Sequence, residues 1–116
     1  MTVDIRKLAT GLVDLTFELA EETGENYDTA LALGMLPAPL MERVTRNLES
    51  KFRELHIQDY MTAFYFQWDK QEIEAGLEKK FQDEYKQKEK DWIKSIEKAL
   101  VVEMLRVAKD RGILVV

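Results

Sequence analysis

Apolar residues Ile5, Leu8, Leu12, Leu15 and Leu19 recur at alternating steps of three and four, the spacing that keeps side chains on one stripe of an α-helix. Val13, Phe17 and Ala20 widen the stripe while Arg6, Lys7, Asp14, Glu18 and Glu21 stay largely off it. The pattern predicts a helix from Val3 to about Glu22 that contacts more than one neighbour. Thr23-Gly24 marks its end, because glycine accepts the left-handed conformation common just past a helix.

Asn26 or Asp28 can cap a short second helix over Thr29 to Leu33, closed by Gly34 and the Pro37-Ala38-Pro39 segment. Pro39 suits the first turn of a third helix, where its missing donor costs nothing. Leu40, Val44, Leu48, Phe52 and Leu55 then mark a helical stripe from Pro39 to Leu55. The next segment, Ile57 to Trp68, reads two ways. Ile57, Met61, Phe64 and Trp68 suit a helix, whereas Phe64-Tyr65-Phe66 with Trp68 has the aromatic density of a strand. Helix is the preferred reading, with a short strand at 61–68 or 113–116 as the alternative.

Between Asp69 and Arg111 there is no proline, one glycine (Gly76), and a high density of good helix formers. Ile73, Leu77, Phe81, Tyr85, Trp92, Ile96, Leu100, Met104 and Val107 form a stripe that thins across the charged Lys86 to Asp91 stretch. Opposite charges three or four apart, such as Asp83 with Lys86 and Glu84 with Lys88, support an exposed helical face. The segment is either one long helix or a hairpin broken near Lys86 to Lys90. A forty-residue helix spans about 60 Å, roughly twice the N-terminal helices, so an unbroken one leaves part of its stripe uncovered in a monomer.

These elements predict an all-α fold. A single small helical domain over 1–116 has four to five helices, with a short-helix core at 1–68 and a long charged helix or hairpin at 69–111. Its 116 residues and its balance of 46% hydrophobic and 34% charged residues are those of one folded domain. The core at this size is modest, so contacts with a partner matter to stability and a homo-oligomer is expected.

A net charge of -5, from 22 acidic and 17 basic residues, repels a phosphate backbone, which makes nucleic acid a disfavoured partner. The absence of cysteine removes thiolate chemistry and sulfur-ligated metals and fits a reducing compartment. Charges at Asp4, Arg6, Lys7, Asp14 and Glu18 break the pattern of an export signal, and no apolar run approaches the roughly 20 residues of a membrane span. A cytoplasmic protein without a membrane partner is the expectation.

Little points to catalysis. His56 is the only histidine, which excludes metal sites built on two or three imidazoles, and Asp59 is its natural helical neighbour. Glu21-Glu22, Glu72-Glu74 and Asp83-Glu84 fall in strongly charged surroundings that suit a solvated face better than a buried acid/base pair. Phosphate-binding glycine loops, the nucleophile elbow and the calcium loop are missing. The chain therefore reads as a non-enzyme without a cofactor or metal.

Two weaker signals bear on binding. Leu19 to Leu33 echoes helix-turn-helix spacing through Ala20, Gly24, Ala30 and Leu33, but its second helix would open Glu25-Asn26-Tyr27-Asp28 and has no Arg or Lys as far as Leu36. Tyr60, Phe64, Tyr65, Phe66 and Trp68 gather within nine residues, as either core or an interface hot spot. Tyr60, Phe64 and Trp68 share one helical face; Tyr65 and Phe66 point elsewhere. With Trp92, Ile96 and Leu100 of the long stripe they are the candidate protein-interaction residues. The expected function is a protein–protein interaction module, an acidic regulator, inhibitor or assembly factor. A DNA-binding regulator dimerised by the long helix is the alternative.

Overall fold

The structure, a computed structural model, describes residues 3–113, and among these it is all-helical. Six helices follow in order: α1 (Ile5–Thr23), α2 (Asp28–Ala32), α3 (Ala38–Leu55), α4 (Ile57–Phe64), α5 (Lys70–Glu74) and α6 (Leu77–Asp110). The count exceeds four or five because the stretch before the long helix holds two short helices, α4 and α5. They form two compact units, one of residues up to Thr45 and from Ser95 onward, the other Arg46–Lys94. Both α3 and α6 contribute to each.

In the first unit the Asp4 side chain caps α1 by accepting the Lys7 N–H at 3.1 Å, and Gly24 ends it at φ 72°. The most buried line of α1 is Ala9, Leu12, Val13 and Thr16, one residue round from the stripe of larger side chains. Ala9 and Thr16 are small enough to let a neighbouring helix approach, and Leu8, Leu15 and Leu19 straddle the contact half-buried. Thr16 satisfies its buried hydroxyl by donating to the Leu12 carbonyl at 2.8 Å. Leu31 and Ala32 of α2, Leu40 and Val44 of α3, and Leu100, Met104 and Ala108 of α6 complete this core. Asn26 supplies the start of α2, its side-chain oxygen accepting the Asp28 N–H at 2.8 Å. Arg111 pairs with Asp14 and lies 5.9 Å over the Phe17 ring, fastening the end of α6 to α1.

The second unit is built on aromatics. Leu48 and Phe52 continue the α3 stripe at four-residue steps and are buried, as are Ala63 of α4 and Tyr85 of α6. Residues 61–68 are not a strand: α4 runs to Phe64, and the Met61 carbonyl then accepts N–H groups from Tyr65 at 2.9 Å and Phe66 at 2.8 Å. Strand alternation would put Tyr60, Phe64 and Phe66 on one face, whereas the helix turns Tyr60 and Phe64 to the core and leaves Phe66 exposed. The alternative strand at 113–116 falls largely on 114–116, outside the described residues.

The long segment breaks at Gly76, φ 75°, and not between Lys86 and Lys90. Asp69 and Glu72 form a capping box that starts α5 as a separate short helix. Beyond Gly76 the charged stretch holds no glycine or proline, and Gln87 bridges one turn to Asp91 at 2.8 Å. α6 is thus one continuous helix of 34 residues, about 51 Å long.

Candidate functional site

The aromatic segment divides along its helical period. Tyr60 and Phe64 turn toward the second unit's core, where Phe64 meets Tyr85 edge-on at 5.8 Å and Tyr60 lies 5.8 Å from the same ring. The Arg53 guanidinium sits 5.4 Å over Tyr60 and the Lys86 ammonium 5.6 Å over Phe64, so cations from α3 and α6 close over these rings. Phe52 is the hub, with ring centroids 4.4 Å from His56, 5.5 Å from Tyr85 and 5.6 Å from Trp92.

The adjoining face of α4 is open, although the Tyr65 ring also meets the Tyr60 ring edge-on at 5.7 Å. Ile57, Met61 and Tyr65 follow one another at four-residue steps and are 49%, 47% and 64% exposed, and Phe66 beside them is 54% exposed. Phe66 packs edge-on against Trp68 at 5.3 Å, and Trp68 reaches Phe81 at 6.1 Å, which props the exposed ring from within its own unit. Gln82 donates to the Ala63 carbonyl at 2.8 Å and ties the end of α4 to α6. Apolar side chains that stand together in water, as these four do, mark an interaction surface when they form a contiguous patch.

Of the other candidate residues, Trp92 is half-buried against Phe52, whereas Ile96 and Leu100 belong to the first unit, Ile96 half-buried and Leu100 inside its core at 2% exposure. The stripe on α6 is therefore largely occupied by the chain's own packing. Sequence spacing missed Ile57 and Met61 as surface residues, although their four-residue step to Tyr65 was the available signal.

Two buried polar groups in the aromatic unit, the Tyr85 hydroxyl and the Trp68 indole N–H, have no hydrogen-bond partner among the described residues. Burial, then the nearby Glu89 charge, pushes the Tyr85 hydroxyl up to about 12. An unsatisfied buried hydroxyl costs about 1–3 kcal/mol, so Tyr85→Phe, which keeps the ring and removes the orphan oxygen, raises stability by about 1 kcal/mol in urea denaturation. An unchanged or lowered midpoint would mean that the hydroxyl has a partner.

Glu89 is the other perturbed group. Its side chain is 13% exposed and lies 3.7 Å from Arg53. Burial raises its carboxyl above the usual range, Arg53 opposes the shift, and Glu49 adds to it. A carboxyl whose folded-state pKa exceeds its unfolded value favours folding while protonated and loses that contribution as pH rises through the folded value. The stability of Glu89→Gln relative to the parent therefore increases between acid and neutral pH, checked by urea midpoints measured across that range; a flat difference would refute the shift.

Elsewhere the chemistry is sparse. His56 Nδ1 lies 3.7 Å from an Asp59 carboxylate oxygen, with both side chains about half exposed. Among the described residues no group of three or more His, Cys, Asp or Glu side chains is placed to hold a metal. A hollow of about 280 Å³ in the first unit is lined by Arg6, Thr10, Glu103, Arg106, Val107 and Asp110, and Arg6 and Arg106 both turn onto Glu103, at 3.7 and 3.6 Å. The Leu19 to Leu33 stretch forms α1, a tight turn and the five-residue α2, which carries Asp28 in its first turn and buries Leu31 and Ala32. Among the described residues no helix is long and apolar enough to cross a membrane. No protein-family model, curated protein or solved structure matches this chain.

Proposed function

We propose that this chain is a non-catalytic protein-interaction module, a small acidic regulator or assembly factor working inside the cell, that docks a protein partner through the outer face of α4. The observation that carries this reading is the exposure of Ile57 and Met61 on α4, and of Tyr65 and Phe66 just past its end, beside a face held by the Phe52–Tyr85 cluster. A rigid apolar stripe binds at low entropic cost, because its rings are already held in place when the partner arrives. In this reading α6 is the scaffold, and Leu100 acts in the core of its own unit.

A photoreactive amino acid at position 65 tests it in cells that express the protein. Covalent adducts with protein are expected, and they should vanish when Met61→Glu is added. The same group placed at Val102, 61% exposed in the other unit, is the comparison. Equal adducts from both positions, or none from position 65, would remove the support for α4 as the docking element.

A further inference from the structure

We infer that the partner of the α4 stripe is a second copy of this chain, the two α4 helices meeting about a two-fold axis near Met61; this rests on the docking role proposed above. The first argument is charge. The protein is 34% charged, yet no charged residue occurs from Tyr60 through Trp68; Asp59, two residues after Ile57, falls on the other side of the helix beside His56, and the polar neighbours on the outer face are Gln58 and Thr62, followed by Gln67. A two-fold interface sets each central residue against its own copy or close to it, so a charge there faces a like charge, whereas a neutral stripe meets no such penalty. Amide and hydroxyl side chains both donate and accept, so Gln58, Thr62 and Gln67 can pair with their own kind. A surface built for an oppositely charged partner would carry complementary charges within the stripe.

The second argument is area. Side chains of this size present roughly 150–250 Å² each, so Ile57, Met61, Tyr65 and Phe66, about half exposed, offer on the order of 400 Å² per copy. Two copies bury on the order of 800 Å² through these four, and the flanking glutamines, Thr62 and Leu55 bring the contact toward the lower end of specific interfaces, about 1,200 Å². The dimer is therefore reversible. Each copy carries a net charge of -5, so the copies repel outside the stripe and added salt strengthens the association by screening.

Sedimentation equilibrium of the full chain over a wide concentration range, at low and high salt, reads this directly. The expected result is a mass rising from 13.6 kDa toward twice that value, with tighter association at high salt. Met61→Glu and Met61→Lys each remain monomeric, their mixture recovers the dimer, and Val102→Glu dimerises like the parent. Because the chain has no cysteine, Met61→Cys supplies a single thiol that oxidises to a covalent dimer at the axis. A parent that is monomeric at every concentration, or a dimer that persists unchanged in Met61→Glu, overturns the inference. So does a dimer that salt dissolves. If the parent is monomeric while position 65 still gives adducts that Met61→Glu abolishes, the docking role stands and only the second copy is refuted.

Discussion

Phe52→Ala lowers the stability of the Arg46–Lys94 unit by about 3–5 kcal/mol, the range for deleting a buried ring that its surroundings cannot refill. Phe52 is 3% exposed and touches the rings of His56, Tyr85 and Trp92, so its loss opens a space bounded by large planar groups fixed to α3 and α6. Planar rings anchored on helices cannot collapse into such a space as flexible aliphatic chains do. Both tryptophans, Trp68 and Trp92, lie in this unit, so tryptophan fluorescence in a urea titration reports its unfolding specifically. A loss below about 1 kcal/mol would mean that the cluster repacks and that Phe52 is not its hub.

The same cluster explains why α4 can present an apolar face at all. Tyr60 and Phe64 are held from below by Tyr85 and from the sides by Arg53 and Lys86, so the helix does not need its outer face for its own stability. Ile57, Met61 and Tyr65 are thereby left to solvent. Their exposure at four-residue spacing is the physical reason for reading α4 as a binding element.

Much of this was legible in the residues. The four-step line Leu40, Val44, Leu48, Phe52 is buried throughout because a long amphipathic helix has one way to hide such a stripe. The division of the aromatics followed from their period: Tyr60 and Phe64 go in, Tyr65 and Phe66 stay out. The preferred helix over the aromatic segment is borne out as far as Phe64, with Phe52 and Tyr85 packed on one side of it. Two features were not legible. The face of α1 is centred on Ala9 and Thr16 because close approach favours small residues, which hydrophobicity alone does not score. The break at Gly76 depends on a capping box at Asp69 and Glu72 and on the glycine's left-handed backbone, whereas thinning of the apolar stripe at Lys86 to Asp91 left the helix intact. Charged residues that form helices well need no buried face to continue one.

Gly34→Ala is expected to lower the stability of the unit formed by the chain's two ends by about 2–4 kcal/mol, and the comparison with Gly24→Ala separates two causes. Gly34 and Gly24 have nearly the same backbone, φ 71° and 72°, so the left-handed strain of about 1–2 kcal/mol is common to both substitutions. They differ in their surroundings. A Cβ at Gly24 meets nothing within 4 Å, whereas at Gly34 it would lie 2.8 Å from Val101 Cγ1 and 3.4 Å from Leu105 Cγ. The turn after α2 is therefore pressed against the α6 surface that carries Val101 and Leu105, at a point where only a hydrogen fits. Urea denaturation followed by far-ultraviolet circular dichroism should give Gly34→Ala the larger loss, and Val101→Ala placed in the same chain should recover the part due to the clash by giving the new methyl group room. Equal losses at the two glycines would show that backbone strain alone sets the cost and that the turn can lift away from α6.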